Sequence, residues 1–152
     1  MLKRILIIIS RLLLFGSLLS CSDSISESKL PDPLIIEVFS KEYQWYFKFP
    51  GADNEFNTND DIVKKNLIYL PSKTKIKFNI YSEDYIYAFS IPEIRLMEMA
   101  VPDKTHTLEL GPLERGEIKF EAGSFCGFDH ETLKGVFVVE KAKSFIKHLS
   151  LR

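Results

Sequence analysis

The chain has 152 residues, 45% of them hydrophobic and 27% charged, with 20 basic and 21 acidic side chains and a formal charge of −1. That length accommodates one domain with a true core and leaves little room for a second. The near-neutral balance, without a run of Lys or Arg inside the body of the chain, excludes a basic face for nucleic acid.

Residues 1–20 read as an export signal. Met1-Leu2-Lys3-Arg4 supplies a positive start, and Leu12 to Leu19 supplies a short apolar core after Arg11. That run is too short to span a bilayer as a helix. Leu18-Leu19-Ser20-Cys21 then has the pattern of a bacterial lipobox, with a large apolar residue and a small one before a cysteine whose thiol receives diacylglycerol. The expectation is a lipoprotein held to the membrane through Cys21 and facing the periplasm or the cell exterior. Without Lys3, Arg4 and Arg11 the remainder carries 17 basic against 21 acidic residues and is mildly acidic. With Cys21 acylated, Cys126 is the sole remaining thiol and no internal disulfide can form. Residues 21–33, rich in Ser, Asp and Pro, read as a flexible tether.

The domain is expected over residues 34–141 as a series of short strands bounded by Pro, Gly, Asp or Ser. In chain order they run from Leu34 to Phe39, Tyr43 to Phe49, Asn66 to Leu70, Lys75 to Tyr81, Tyr85 to Ile91, Thr105 to Leu110, Glu117 to Ala122 and Gly135 to Glu140. Period two is clear where Ile76, Phe78 and Ile80 alternate with Lys75, Lys77 and Asn79. Tyr85, Tyr87, Phe89 and Ile91 are expected on one face in the same way. Only the tail, residues 142–152, carries a helical stripe, through Phe145, Ile146 and Leu149. An all-β sandwich or barrel follows.

The one close cluster of metal-binding side chains is Cys126-Gly127-Phe128-Asp129-His130, between the last two strands. A thiolate and an imidazole four apart on a loop suit copper or zinc, although spacing alone equally fits a buried thiol beside a surface histidine. Met97 and Met99 share a strand face and offer two thioethers, or simply apolar packing. His106 and His148 read as solvated surface residues.

A colinear series of blocks resembles the soluble domain of cytochrome c oxidase subunit II. The blocks are Glu42-Tyr43-Gln44-Trp45-Tyr46-Phe47-Lys48-Phe49-Pro50-Gly51, Asn66 to Pro71, Asp84 to Glu93, Ala100 to Thr105, Gly116-Glu117, Cys126 to His130 and Gly135 to Val139. The resemblance covers about residues 35 to 140 and implies a cupredoxin-like Greek-key β-sandwich. In that family the domain is a non-catalytic electron-transfer subunit whose binuclear copper centre passes electrons from cytochrome c to haem. Carried over residue by residue, the family's upstream histidine falls at Tyr87, its first cysteine at Ala122, its glutamate at Ser124 and its methionine at Leu133. Its second cysteine and loop histidine fall on Cys126 and His130, and Trp45 matches the aromatic that admits electrons.

Two copper ions sharing an electron need two bridging thiolates, so the resemblance implies that the binuclear centre is absent. The residues leave three readings. The first is a lipid-anchored domain that has lost its binuclear copper and acts as an accessory partner of oxidase subunits or of a copper-handling protein. The second is a periplasmic protein holding one copper ion at most, through Cys126 and His130 with help from Tyr87, Met97 or Met99. The third is an electron-entry subunit of a terminal oxidase, which the substituted ligands argue against.

Overall fold

The computed structural model describes residues 30–123 and 133–150. Ten strands run in chain order as β1 (Leu34–Lys41), β2 (Gln44–Phe49), β3 (Ile62–Lys64), β4 (Leu67–Pro71), β5 (Ile76–Ser82), β6 (Tyr87–Ile91), β7 (Leu96–Ala100), β8 (His106–Leu110), β9 (Gly116–Ala122) and β10 (Gly135–Glu140). One helix, α1 (Ala142–Ser150), follows.

Alternation writes the architecture. Along β5 the burial pattern strictly alternates, with Ile76, Phe78 and Ile80 inside, and β2 buries Trp45, Phe47 and Phe49 in the same manner. A strand that buries every second residue needs a second layer over that face. The strands accordingly form two five-stranded sheets, ordered β3-β2-β1-β5-β8 and β4-β10-β9-β6-β7. β1 lies parallel to β5 and β4 parallel to β10, while the remaining neighbours are antiparallel. Each parallel pair requires a crossing connection between distant strands, which gives the Greek-key sandwich its topology.

Between the sheets, Phe47 and Phe78 meet Phe89, Phe120 and Phe137, all at most 1% exposed. Ring centroids lie 5.0 Å apart for Phe47 and Phe120, 5.4 Å for Phe47 and Phe137, and 4.7 Å for Phe120 and Phe137. Gly135 is required here: a Cβ at that position would collide with the Phe120 ring and the Asn66 carbonyl.

Two strands lie outside the eight runs expected from the sequence, β7 being hinted at only by the spacing of Met97 and Met99, and both are edges. β3 is three residues long, and β7 carries a partly buried pattern with Met97 exposed, so neither shows the strong alternation that marks a central strand. The strand expected from Tyr85 starts at Tyr87 instead. Tyr85 and Ile86 are exposed, because the Tyr85 N–H donates to the Asp84 Oδ1 carboxylate at 2.7 Å rather than to a strand neighbour. The two histidines are not freely solvated either. His106 Nδ1 lies 3.1 Å from Glu98 Oε1, and His148 stacks on Tyr69 at 3.9 Å while its Nδ1 lies 2.6 Å from Glu140 Oε1. Each ties an edge strand to its neighbourhood.

Helix α1 returns along β4 and buries Phe145 against Phe49, with Lys143 and Lys147 outside. Among the described residues no helix is long and apolar enough to cross a membrane.

The cost of core truncation follows from this packing. Phe47→Ala, which removes a ring touching three other phenylalanines of the opposite sheet, is expected to lower the free energy of unfolding by about 3–5 kcal/mol. Ile86→Ala, at an exposed side chain, should stay within about 0.5 kcal/mol of the parent in the same urea titration.

Candidate metal centre

The three described positions that the resemblance assigns to copper ligands come together at one end of the sandwich. Tyr87 opens β6 and Ala122 closes β9; Phe89 pairs with Ala122, and the Gly123 N–H donates to the Ala88 carbonyl at 2.8 Å. Gly135 pairs with Phe120 at the start of β10, and Leu133, two residues earlier in the chain, is buried in the core. Tyr87 thus lies two residues before the partner of Ala122 on β6, and Leu133 two residues before β10. Ser124, Cys126 and His130 lie outside the described residues, as does Cys21.

The local chain explains how Tyr87 is held. β1 and β2 are joined by a two-residue turn, Glu42-Tyr43, with Lys41 paired to Gln44. Both turn residues adopt the left-handed conformation, φ 49° and 60°, which suits the twist of a tight hairpin but is disfavoured for residues other than Gly, Asn or Asp. Asp84, in the loop between β5 and β6, and Tyr87, the first residue of β6, hold the turn. Asp84 Oδ2 accepts the Glu42 N–H at 2.7 Å, and the Tyr87 hydroxyl accepts the Tyr43 N–H at 3.3 Å. The same hydroxyl donates to Asp84 Oδ2 at 3.3 Å.

These contacts set the protonation states. Burial alone would raise the Asp84 carboxyl, but the amides of Glu42 and Tyr85 and the hydroxyls of Tyr87 and Ser82 outweigh it and hold the group below its usual range. Burial, reinforced by the nearby Asp84 charge, pushes the Tyr87 phenol up to about 12 despite the opposing Tyr43 amide. Tyr87 is thus a neutral hydrogen-bonding strut.

The described positions do not fit a binuclear copper centre. Ala122 and Leu133 carry no donor atom, Leu133 is 2% exposed, and the one heteroatom, on Tyr87, is already engaged from two sides. Met97 and Met99 pair with Ser90 and Ala88, which puts them on the sheet face opposite to Tyr87 and Phe89. Met97 packs against Gly123, whose added Cβ would sit 3.2 Å from its sulfur. Among the described residues no group of three or more His, Cys, Asp or Glu is placed to hold a metal ion. Trp45 is fully buried, 5.9 Å from the Tyr87 ring and 5.0 Å from that of Phe89. Among the described residues, the exposed rings at this end are Tyr43 and Tyr85, stacked 6.0 Å apart. Sequence reasoning passed over Asp84 and Tyr43; the signal available was an acidic turn residue preceding a strand.

The fold and this end together define a class: a Greek-key sandwich of the cupredoxin kind. Comparison with known proteins narrows it. The chain is 26% identical over 120 residues to cytochrome c oxidase subunit 2 of Synechocystis sp., covering 79% of this chain and 33% of that protein. It is 28% identical over 102 residues to ubiquinol oxidase subunit 2 of Acetobacter aceti, covering 67% and 31%. The periplasmic domain of subunit II of cytochrome oxidase from Bradyrhizobium japonicum superposes with a TM-score of 0.64 at 19% identity, over 80% of this chain and 94% of that one. No family model matches the chain. It is a cytochrome c oxidase subunit II-like cupredoxin domain, and it spans about a third of the length of these two relatives.

Removing the Asp84 charge tests the strut. Asp84→Asn should cost about 1–3 kcal/mol, the price of unsatisfied or weakened hydrogen bonds at the turn. Because the folded group binds its proton more weakly than the unfolded one, its contribution is full above the unfolded value of about 4 and is lost as pH falls through the folded value. Urea midpoints followed from neutral pH into the acid range should therefore fall less steeply in Asp84→Asn than in the parent.

Proposed function

We propose that this protein is an exported, lipid-anchored accessory subunit that keeps the oxidase subunit II sandwich without its binuclear copper, acting through protein contacts in a respiratory or copper-handling assembly. The observation that carries the reading is the occupancy of positions 87, 122 and 133. Where the family places His, Cys and Met, this chain has Tyr87 in a hydrogen-bonded strut, the donorless Ala122, and Leu133 in the core. A single cysteine, Cys126, cannot supply the two thiolates that bridge a copper pair.

Export and anchoring are supported by the charged start, the apolar run and the lipobox ending at Cys21, and by likeness to a domain described as periplasmic. One similar protein is a subunit of an oxidase named for ubiquinol, so the sandwich is not tied to a single electron donor. That favours a shared scaffold over a shared metal centre.

A second reading keeps one copper ion on Cys126 and His130. The soft thiolate and the imidazole suit copper, and Cys126 has no cysteine partner once Cys21 is acylated. The faces of β6 and β7 bear on this reading: Tyr87 and the two methionines point to opposite sides, so they cannot all complete one coordination sphere.

Copper titration followed by optical absorption and electron paramagnetic resonance separates these readings. The parent should give no purple, mixed-valence signal. Tyr87→His, Ala122→Cys, Ser124→Glu and Leu133→Met combined should give one, since these substitutions return the family's ligands to the positions that the resemblance assigns to them. A mixed-valence signal from the parent contradicts the accessory reading. A folded quadruple variant that takes up no more copper than the parent, and forms no disulfide between position 122 and Cys126, contradicts the placement of the loop.

A further inference from the structure

Four aromatic side chains make a continuous line from the core to the surface at this end of the sandwich. Trp45, on β2 and fully buried, contacts the Tyr87 ring at 5.9 Å; Tyr87 contacts Tyr43 at 6.1 Å; Tyr43 stacks on Tyr85 at 6.0 Å. Exposure rises along the line, from 0% at Trp45 and 6% at Tyr87 to 44% at Tyr43 and 61% at Tyr85. Among the described residues, the other ring that touches Trp45 is Phe89, which is far harder to oxidise than a phenol or an indole.

From this geometry we infer that Trp45, Tyr87, Tyr43 and Tyr85 form a hole-transfer chain, which carries an oxidising equivalent from the buried core to solvent. The oxidant class is a one-electron oxidant such as a peroxide-derived radical, and the final reductant is a solvent thiol.

Each step balances. Loss of one electron from Trp45 to the oxidant leaves an indole radical cation. Its Nε1–H has no hydrogen-bond partner among the described residues, so nothing there drains the proton and the cation stays strongly oxidising. It takes an electron from Tyr87, whose phenolic proton passes along the 3.3 Å hydrogen bond to the Asp84 carboxylate. Trp45 is restored, Tyr87 is a neutral radical and Asp84 is protonated. An electron from Tyr43 then reduces Tyr87, which recovers its proton from Asp84, while Tyr43 releases its own to water. Tyr85 repeats the exchange with Tyr43. At the surface a thiol gives a hydrogen atom to the Tyr85 radical, and the oxidising equivalent leaves as a thiyl radical.

Two features favour this route over a random path. The Tyr87 hydroxyl has a fixed proton acceptor, and an oxidised phenol is a far stronger acid than any carboxylic acid, so even the carboxylate of Asp84 takes the proton. The Glu42-Tyr43 turn, in a conformation unfavourable for both residues, holds the Tyr43 ring against Tyr85 on one side and Tyr87 on the other. The chain does not depend on bound copper.

Trp45 is the only tryptophan, so it can be addressed selectively in the full chain by ultraviolet photoionisation at the red edge of its absorption. Transient absorption should show the tryptophan radical decaying as a tyrosine radical appears at the same rate. Tyr87→Phe should slow that transfer about tenfold or more, and Asp84→Asn should slow it by removing the proton acceptor. Tyr43→Phe with Tyr85→Phe leaves the first step intact and strands the radical on Tyr87, prolonging its lifetime in the presence of glutathione by about tenfold or more. An unchanged transfer rate in Tyr87→Phe overturns the chain. Should that variant not fold, an unchanged tyrosine-radical lifetime in the Tyr43→Phe, Tyr85→Phe pair overturns it equally.

Discussion

The contact between Phe47 and Phe78 of one sheet and Phe89, Phe120 and Phe137 of the other is the constraint on which the rest of the molecule depends. Five rings from five strands fix the separation of the layers and the inward register of β2, β5, β6, β9 and β10 at once. A one-residue slip in any of these strands would turn its ring to solvent and a polar neighbour inward. Gly135 follows from the same constraint, since only a residue without Cβ lets β10 pass the Phe120 ring.

The ends of the strands inherit their positions from that core, and the chemistry of the candidate site is decided there. Trp45 continues the aromatic stack towards the end of the sandwich, where it meets Tyr87. Tyr87 and Asp84 then brace a hairpin turn whose backbone would otherwise be unfavourable. Among the described residues at this end a phenol, a carboxylate and two backbone amides satisfy one another, and Leu133 is buried in the core. A cupredoxin domain that relied on copper to join its strand ends would leave donor atoms converging at these positions. Here the described positions converge as packing and hydrogen bonds instead.

Much of this was legible in the sequence because it rests on period two and on turn residues. Alternation in Ile76 to Tyr81 and in Gln44 to Phe49 marks central strands, whose burial pattern the tertiary structure enforces. The block order, from the Trp45 strand to Gly135 to Val139, pointed to the cupredoxin-like sandwich, and the fold agrees. What escaped was set by edges and by side chains acting over long sequence separations. β3 and β7 each have one neighbour and a weak pattern. His106 and His148 look solvated in sequence, yet each meets a glutamate eight residues away. Asp84 stands out only as an acidic turn residue before a strand, and its partner is a turn forty-two residues earlier. The faces of Met97 and Tyr87 became distinguishable only once β6 and β7 were in register.

The central proposal is that the fold holds at this end through its own side chains, with no metal required. Chemical unfolding of the purified chain with a strong copper chelator, compared with the same chain in excess copper under reducing conditions, measures it most directly. The account predicts one cooperative transition in both, with midpoints that agree closely. A chain that unfolds cooperatively only when copper is present would contradict it.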